Sequence, residues 1–342
     1  VEKISKGRSV GGRPTLKDIA QEVGVTITTA SYVLNGAKSG TRVSDKTREA
    51  ILEAARRFGY RPNNVARSLV RQRSGVVAIY SGYEELSAKN YFFAEIMGGL
   101  QVGCAQCGVD LLIHTGPPEA DDHSIAQSLL DGRADGVIVH ASTHHQLPHI
   151  IAESRVPAVA IVDQVDFLPS VVVDDAEGGR IQARYLHEKG HRRVMYRPAF
   201  CEYASTIRRE TAFREEAAAL GLEVVDGTMT VAGGWSGLTD PEKRIMLGPD
   251  RPTAIACWED MNADQTVADL EEMGFSVPGD VAVMGYNGIS VEFGRRRWLT
   301  TIDAHWALVA ETAIKVLMRR VAGEEVPMGT TLPVDLLEGA TA

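Results

Sequence analysis

The residues best placed to do chemistry stand just past short apolar runs. Asp163 follows Ala158–Val162, and Glu259 and Asp260 follow Ala254–Cys257 and Trp258. Asn287 follows Val281–Met284 and a Gly-Tyr pair, Arg209 opens a helix after Val194–Tyr196, and Trp235 lies in a glycine-flanked loop. Carboxylates and a guanidinium can share hydroxyls bidentately, and an aromatic face packs on a C–H surface. Together they suit a polyhydroxylated ligand. Singly, Asp163 could cap a turn, Arg209 could be a surface charge and Trp235 could be core. Their recurrence at matching positions favours a pocket.

Bond-making chemistry has no comparable footing. There is no nucleophile elbow, phosphate loop, zinc motif or dinucleotide fingerprint, and Gly98-Gly99 and Gly233-Gly234 lack the required spacing. Cys104 and Cys107 make a C-x-x-C inside an amphipathic stretch, without a second pair, and read as reduced thiols. His140, His144, His145 and His149 fit no compact metal set. The chain is read as a non-enzyme with no cofactor and no metal.

The elements that would carry the polar set alternate. Apolar runs at Val76–Tyr80, Leu111–His114, Val137–His140, Ala158–Val162 and Val171–Val173 are followed by a second series. That series is Val194–Tyr196, Glu223–Val225, Ala254–Cys257 and Val281–Met284. Amphipathic stretches lie between them, at Phe93–Cys107, Ser124–Asp131, Gly178–Lys189, Arg208–Leu220, Asn262–Met273 and Ala307–Val321. Strand–helix alternation predicts parallel sheets, here two similar doubly wound subdomains. Ligands sit off the carboxyl ends of such strands, and clefts between lobes are the usual pockets.

The N-terminal segment has another character. Leu16, Ile19, Ala20 and Val23 recur at helical spacing, with Thr15 and Asp18 as a capping box and Gly24 as the stop. Thr26 caps a second helix with Ala30, Val33 and Leu34 inward, leaving Ile27, Thr28, Thr29 and Tyr32 outward. This is a helix-turn-helix, whose second helix suits a major groove. Ser44 caps a third helix to Phe58, closed by Gly59 and Tyr60. Residues 1–73 hold 15 Lys and Arg against 6 Asp and Glu, whereas the whole chain has a net charge of −9. A basic head on an acidic body points to nucleic acid at one end. Asn63–Val70 has helical composition but is too short to be stable alone. No apolar run reaches 18 residues and no signal peptide is visible, so the chain is read as cytoplasmic with no membrane partner.

Thr15–Gly36 (TLKDIAQEVGVTITTASYVLNG) and Arg42–Leu69 (RVSDKTREAILEAARRFGYRPNNVARSL) resemble the head and hinge of the LacI/GalR family of bacterial transcription regulators. The turn, the Gly59-Tyr60-x-Pro62-Asn63 junction and Ala66–Leu69 occur in order. The likeness is gapless over about seventy residues and looser to the end. It implies an α/β fold: a small all-α head and a two-lobed periplasmic-binding-protein-like effector domain, crossed three times, near Asp174, Asp303 and Pro333. The expected divisions are a head at 1–61 and a hinge at 62–74. A first lobe would be 75–173 with 304–332, and a second 174–303 with 333–342. The resemblance implies a homodimeric regulator, usually a repressor, on near-palindromic double-stranded operator DNA. Its DNA-binding residues would be Thr26, Ile27, Thr28, Thr29, Ser31, Tyr32, Asn35, Asn63, Ala66 and Leu69. Its small-molecule effector, a sugar or sugar acid, would meet Phe92 and Phe93 in the first lobe and Asp163, Arg209, Trp235, Glu259 and Asn287 around the cleft.

Three departures stand out. The family often has Asn at Glu259 and Asp at Asn287, so the charge pattern is rearranged. Arg295, Arg296 and Arg297 replace a more apolar loop. Tyr32 stands where Arg is common and cannot make a bidentate contact to guanine, while Ile27 suits a thymine methyl. Two other readings are a regulator of the same fold answering to a protein corepressor, and a sugar-binding or sugar-modifying α/β enzyme. By resemblance, Leu69 is a minor-groove wedge. Leu69→Ala should then weaken operator binding by on the order of a few kcal/mol and spare random-sequence binding. Gel-shift titrations on both DNAs test this, and an equal loss on each would reduce Leu69 to packing.

Overall fold

The computed structural model describes residues 14–35, 43–61, 68, 72–82, 90–116, 119–140, 146–199, 203–228, 237–289 and 299–342. The chain divides into two compact units, Val1–Ser74 and Gly75–Ala342.

The first unit holds three helices: α1 (Leu16–Val23), α2 (Ile27–Asn35) and α3 (Asp45–Phe58). Each begins where a hydroxyl meets a first-turn N–H that has no helical partner. The Thr15 hydroxyl accepts from Asp18 N–H, and Thr15 N–H donates to the Asp18 carboxylate at 2.7 Å. Thr26 accepts from Thr29 N–H at 3.1 Å, and Ser44 from Thr47 N–H at 3.2 Å. Gly24, at φ +74°, and Gly59, at φ +63°, end α1 and α3 in the left-handed conformation. Ile19, Ala20, Ala30, Val33, Ile51, Ala54 and Ala55 make the core. The expected hinge residues Asn63, Ala66 and Leu69 lie outside the described residues.

The second unit is built on two parallel sheets. The first has the order β11-β5-β4-β3-β1-β2, from β1 (Val76–Ser81), β2 (Asp110–Ile113), β3 (Gly136–His140), β4 (Ala158–Ile161), β5 (Ser170–Val173) and β11 (Gly329–Leu332). Of its four inner strands, β3, β4 and β5 are wholly buried, because helices cover both faces; this is why they read as unbroken apolar runs. One face packs on α4 (Tyr91–Cys107) and α11 (Trp306–Val321), the other on α5 (Asp122–Leu129) and α6 (Leu147–Glu153).

The second sheet has the order β7-β6-β8-β9, from β6 (Arg193–Arg197), β7 (Glu223–Asp226), β8 (Ala254–Cys257) and β9 (Ala282–Met284). Val194, Tyr196, Ala256 and Met284 face α7 (Asp175–Glu188) and α8 (Ala204–Leu220). Met195, Ile255, Cys257 and Val283 face α9 (Asp240–Met246) and α10 (Asp260–Glu272). A short antiparallel ribbon, β10 (Thr301–Asp303) with β12 (Asp335–Leu337), lies beside the second sheet, joined to the end of β9 and the segment after it by isolated bridges at Met284–Thr300 and Asn287–Asp303. The core of the first sheet continues into that of the second through Ile302, Ala304 and Val334. The Thr341 hydroxyl donates to Val283 O at 2.7 Å and accepts from Thr300 N–H at 2.9 Å.

The nine strands expected from apolar runs are all present, within a few residues at their ends. The ribbon, β11 and the seven-residue helices α6 and α9 were not foreseen. Three or four residues carry too few repeats to show a period.

Helices α4 and α11 touch backbone to backbone at Gly99. A Cβ there would lie 2.0 Å from the carbonyl oxygen of Ala307, whereas one at Gly98 would meet nothing within 4 Å. Gly99→Ala should destabilise the body by about 2–3 kcal/mol through overpacking. Gly98→Ala should be neutral or stabilise by up to ~1 kcal/mol through helix propensity. Urea unfolding of the two variants checks this pair.

Candidate functional site

Two surfaces carry the chemistry. The first is the start of α2 in the head. Ile27 is 49% exposed there, and Thr26 and Thr28 are exposed beside it. The Thr26 and Thr29 hydroxyls bond each other at 2.8 Å, so both are held by the cap. Ser31 is half-buried. Tyr32, expected to face outward, is instead half-buried, because its ring packs on the head core. Asn35 ends α2, and its side chain lies outside the described residues.

The second surface lies at the strand ends of the body. Arg209, on α8, is 3% exposed. Its Nη2 donates to Asp175 Oδ1 at 3.0 Å and its Nη1 to Trp258 O at 2.6 Å. Its Cζ stands 3.2 Å from the centroid of the Tyr286 ring, and its buried Nε–H has no hydrogen-bond partner. Asp175 also accepts from Arg208 Nη2 at 2.9 Å. Burial raises the Asp175 carboxyl above the usual aspartate range, and the two guanidiniums limit that rise.

Asp163 belongs to the first sheet's side and reaches the second. Its carboxylate accepts from Ser205 N–H, in the first turn of α8, at 2.8 Å. The aim is set by Val162, at φ +73°, around which Asp163 N–H donates back to Ile161 O at 2.9 Å. That is a γ-turn on a β-branched residue, a strain of ~1–3 kcal/mol that the surrounding strands hold in place.

Glu259 is buried and takes the N-cap position of α10 in extended conformation, without a side-chain bond to that helix's own turn. Its neighbour Asp260 is structural. It accepts from Ile289 N–H at 2.6 Å and from the Thr301 hydroxyl, tying α10 to β10. Burial pushes its carboxyl well above the usual range.

Asn287, at φ +115°, accepts the Trp306 indole N–H at 3.1 Å. Trp306 stands edge-on to Phe92 at 5.0 Å, and Phe92 edge-on to Phe93 at 5.1 Å. His140, at the end of β3, lies 5.5 Å from Phe93 and pairs through Nδ1 with the Ser81 hydroxyl at 3.3 Å. The structure thus gathers Phe92, Phe93 and Asn287 around Trp306, and places Arg209 with Asp175 and Tyr286.

Trp235 and Arg295–Arg297 lie outside the described residues. The flanks of the Trp235 segment are fixed, however. Buried Arg197 donates to Glu242 at 3.0 Å, to the Thr266 hydroxyl at 2.7 Å and to Gly237 O at 2.6 Å. Glu242 also accepts from Thr228 N–H at 2.9 Å.

Sequence reasoning missed Asp175, Tyr286, Trp306 and His140. Trp306 follows β10, so the strand-end rule would have found it had that strand been visible. Asp175 was hidden as an ordinary first-turn acid.

Two buried thiols are held in the neutral form. Burial pushes Cys104 up to about 11, and Cys257 likewise to about 11. Among the described residues no group of three or more His, Cys, Asp and Glu could hold a metal ion. Nor is any described helix long and apolar enough to cross a membrane.

Comparison with known proteins matches both units. Residues 15–63 match the model of bacterial regulatory proteins of the lacI family. Residues 183–342 match a periplasmic binding protein-like domain. An HTH-type transcriptional repressor PurR from Escherichia coli O139:H28 is 29% identical over 336 residues, covering 95% of each chain. One from Erwinia tasmaniensis is 27% identical, covering 91% of each. The lac repressor dimer bound to operator and an anti-inducer superposes with a TM-score of 0.81 at 23% identity, covering 96% of this chain and 99% of that one. The transcriptional regulator CelR in complex with cellobiose does so with 0.68 at 26% identity, covering 96% and 100%. With a capped helix-turn-helix ahead of a two-sheet binding body, the chain belongs to the lacI family of bacterial regulatory proteins.

Proposed function

We propose that the protein is a homodimeric repressor that binds a near-palindromic operator in the cytoplasm and answers to a small polyhydroxylated effector held between the two lobes. The observation that carries this reading is the bridging of the lobes by the polar residues expected to meet the ligand. Asp163 reaches Ser205, and Asn287 reaches Trp306. A molecule that engages these groups changes what holds the lobes together, and shifts the lobe angle by no more than its differential affinity. Phe92, Phe93, Asp163, Arg209, Glu259 and Asn287 are the proposed contacts, with Trp235 added by resemblance.

Two relatives support the reading in their own names: PurR is a transcriptional repressor, and CelR was captured with cellobiose. The charge arrangement favours a neutral sugar over a sugar acid. Arg208 and Arg209 are both engaged by Asp175, while Asp163, Glu259 and Asp260 are buried nearby.

Nuclease footprinting of the full chain on a selected operator should show two protected half-sites related by a dyad. Protection of a single half-site would overturn the dimeric reading. Effector and operator should also oppose or reinforce each other by a coupling of roughly 1–3 kcal/mol. Arg209→Lys keeps a positive charge beside Asp175 but loses the planar fork and the stack on Tyr286. It should cut the effector response at least tenfold and leave operator affinity within a few-fold. Fluorescence anisotropy with a panel of sugars measures both, and an unchanged response would remove Arg209 from the effector contacts.

A further inference from the structure

We infer that α2 reads its operator half-site by apolar contact with thymine 5-methyl groups, with Ile27 as the principal reader. This rests on the operator-binding reading above. In a helix-turn-helix, the first residues of the second helix meet base edges. Here those residues are Ile27, Thr28, Thr29, Ala30 and Ser31, and none carries a two-donor fork. Bidentate recognition of guanine needs Arg or Lys, and that of adenine needs Asn or Gln. From Ile27 to Leu34 there is no such side chain.

The structure narrows the choice further. The hydroxyls of Thr26 and Thr29 bond each other and Thr26 also accepts the Thr29 N–H, so both side chains are held in the cap. Ala30 and Val33 are core. Tyr32 leans on that core. What projects from the helix start is the side chain of Ile27, half exposed, and beside it Thr28 with its methyl and single hydroxyl. An exposed β-branched hydrocarbon has no reason to lead a groove-entering helix unless it meets apolar surface there. The only apolar group on the floor of the major groove is the thymine 5-methyl. The occupant of this patch is therefore duplex DNA, as the basic composition of the head also requires.

The test begins with selection of an operator from a random duplex library by the full chain. Each thymine of the selected half-site is then replaced by deoxyuridine, which removes the methyl and nothing else. One thymine per half-site should show a loss of about fourfold, the worth of one buried methyl. Ile27→Ala should bind more weakly and no longer distinguish thymine from deoxyuridine at that position. Because Ile27 lies outside the head core, this variant should keep its thermal melt, which circular dichroism checks. At the same position, 5-methylcytosine should be preferred to cytosine by the wild type by a similar factor. If every deoxyuridine is silent, or if Ile27→Ala keeps the full penalty, the inference is overturned while the operator reading stands. If selection enriches no sequence, both fall.

Discussion

A positive charge buried in a nearly dry place dictates the second lobe's geometry. The Arg209 guanidinium cannot be left there without acceptors, since an unpaired buried charge costs several kcal/mol. Its partners come from three elements: the start of α7 through Asp175, the end of β8 through Trp258 O, and the segment after β9 through Tyr286. One planar group thereby fixes the spacing of a helix N-terminus and two strand ends. The opposite face of the same sheet has its own buried arginine. Arg197 joins β6 to α9 and α10 through Glu242 and Thr266. The sheet is clamped on both faces by buried charge pairs.

Polar bonds cross the junction between the lobes beside the apolar Ile302, Ala304 and Val334. Asp163 and Asn287 each spend a side-chain acceptor on a donor from across the sheets. Each also sits at an unusual backbone position: Asp163 follows the γ-turn at Val162, and Asn287 has a positive φ itself. Strain of this kind persists only where its neighbours enforce it. Under the proposed function, a ligand entering here would compete for hydrogen bonds already made, which would link binding to lobe geometry.

The legible part of the fold was the part with repetition. Runs such as Val137–His140 and Ala158–Val162 are buried on both faces and declare themselves by composition. The capping chemistry of α1 and α3 was equally plain, because Thr15, Ser44, Gly24 and Gly59 act within four residues of their targets. Partnerships across long separations were not legible. Nothing local marks Asp175 as the partner of Arg209, or Trp306 as the donor to Asn287. Tyr32 misled for the same reason. Helical spacing put it on the outer face, but a ring that large folds back onto the head core.

The order of the strands has a consequence for how the chain is made. The edge strand β11 completes the first sheet beside β5, although the two are more than 150 residues apart in sequence. Thr341 fastens the second sheet through Val283 and Thr300. Both lobes thus await the same late segment, residues 329–341. A nascent chain emerging from the ribosome can close the helix-turn-helix early, since its contacts are local. It must carry an unfinished first sheet, with an open edge at β5, until that segment is free. During synthesis the DNA-reading head is therefore ready before the part that governs it, and chaperone protection would matter most in that interval.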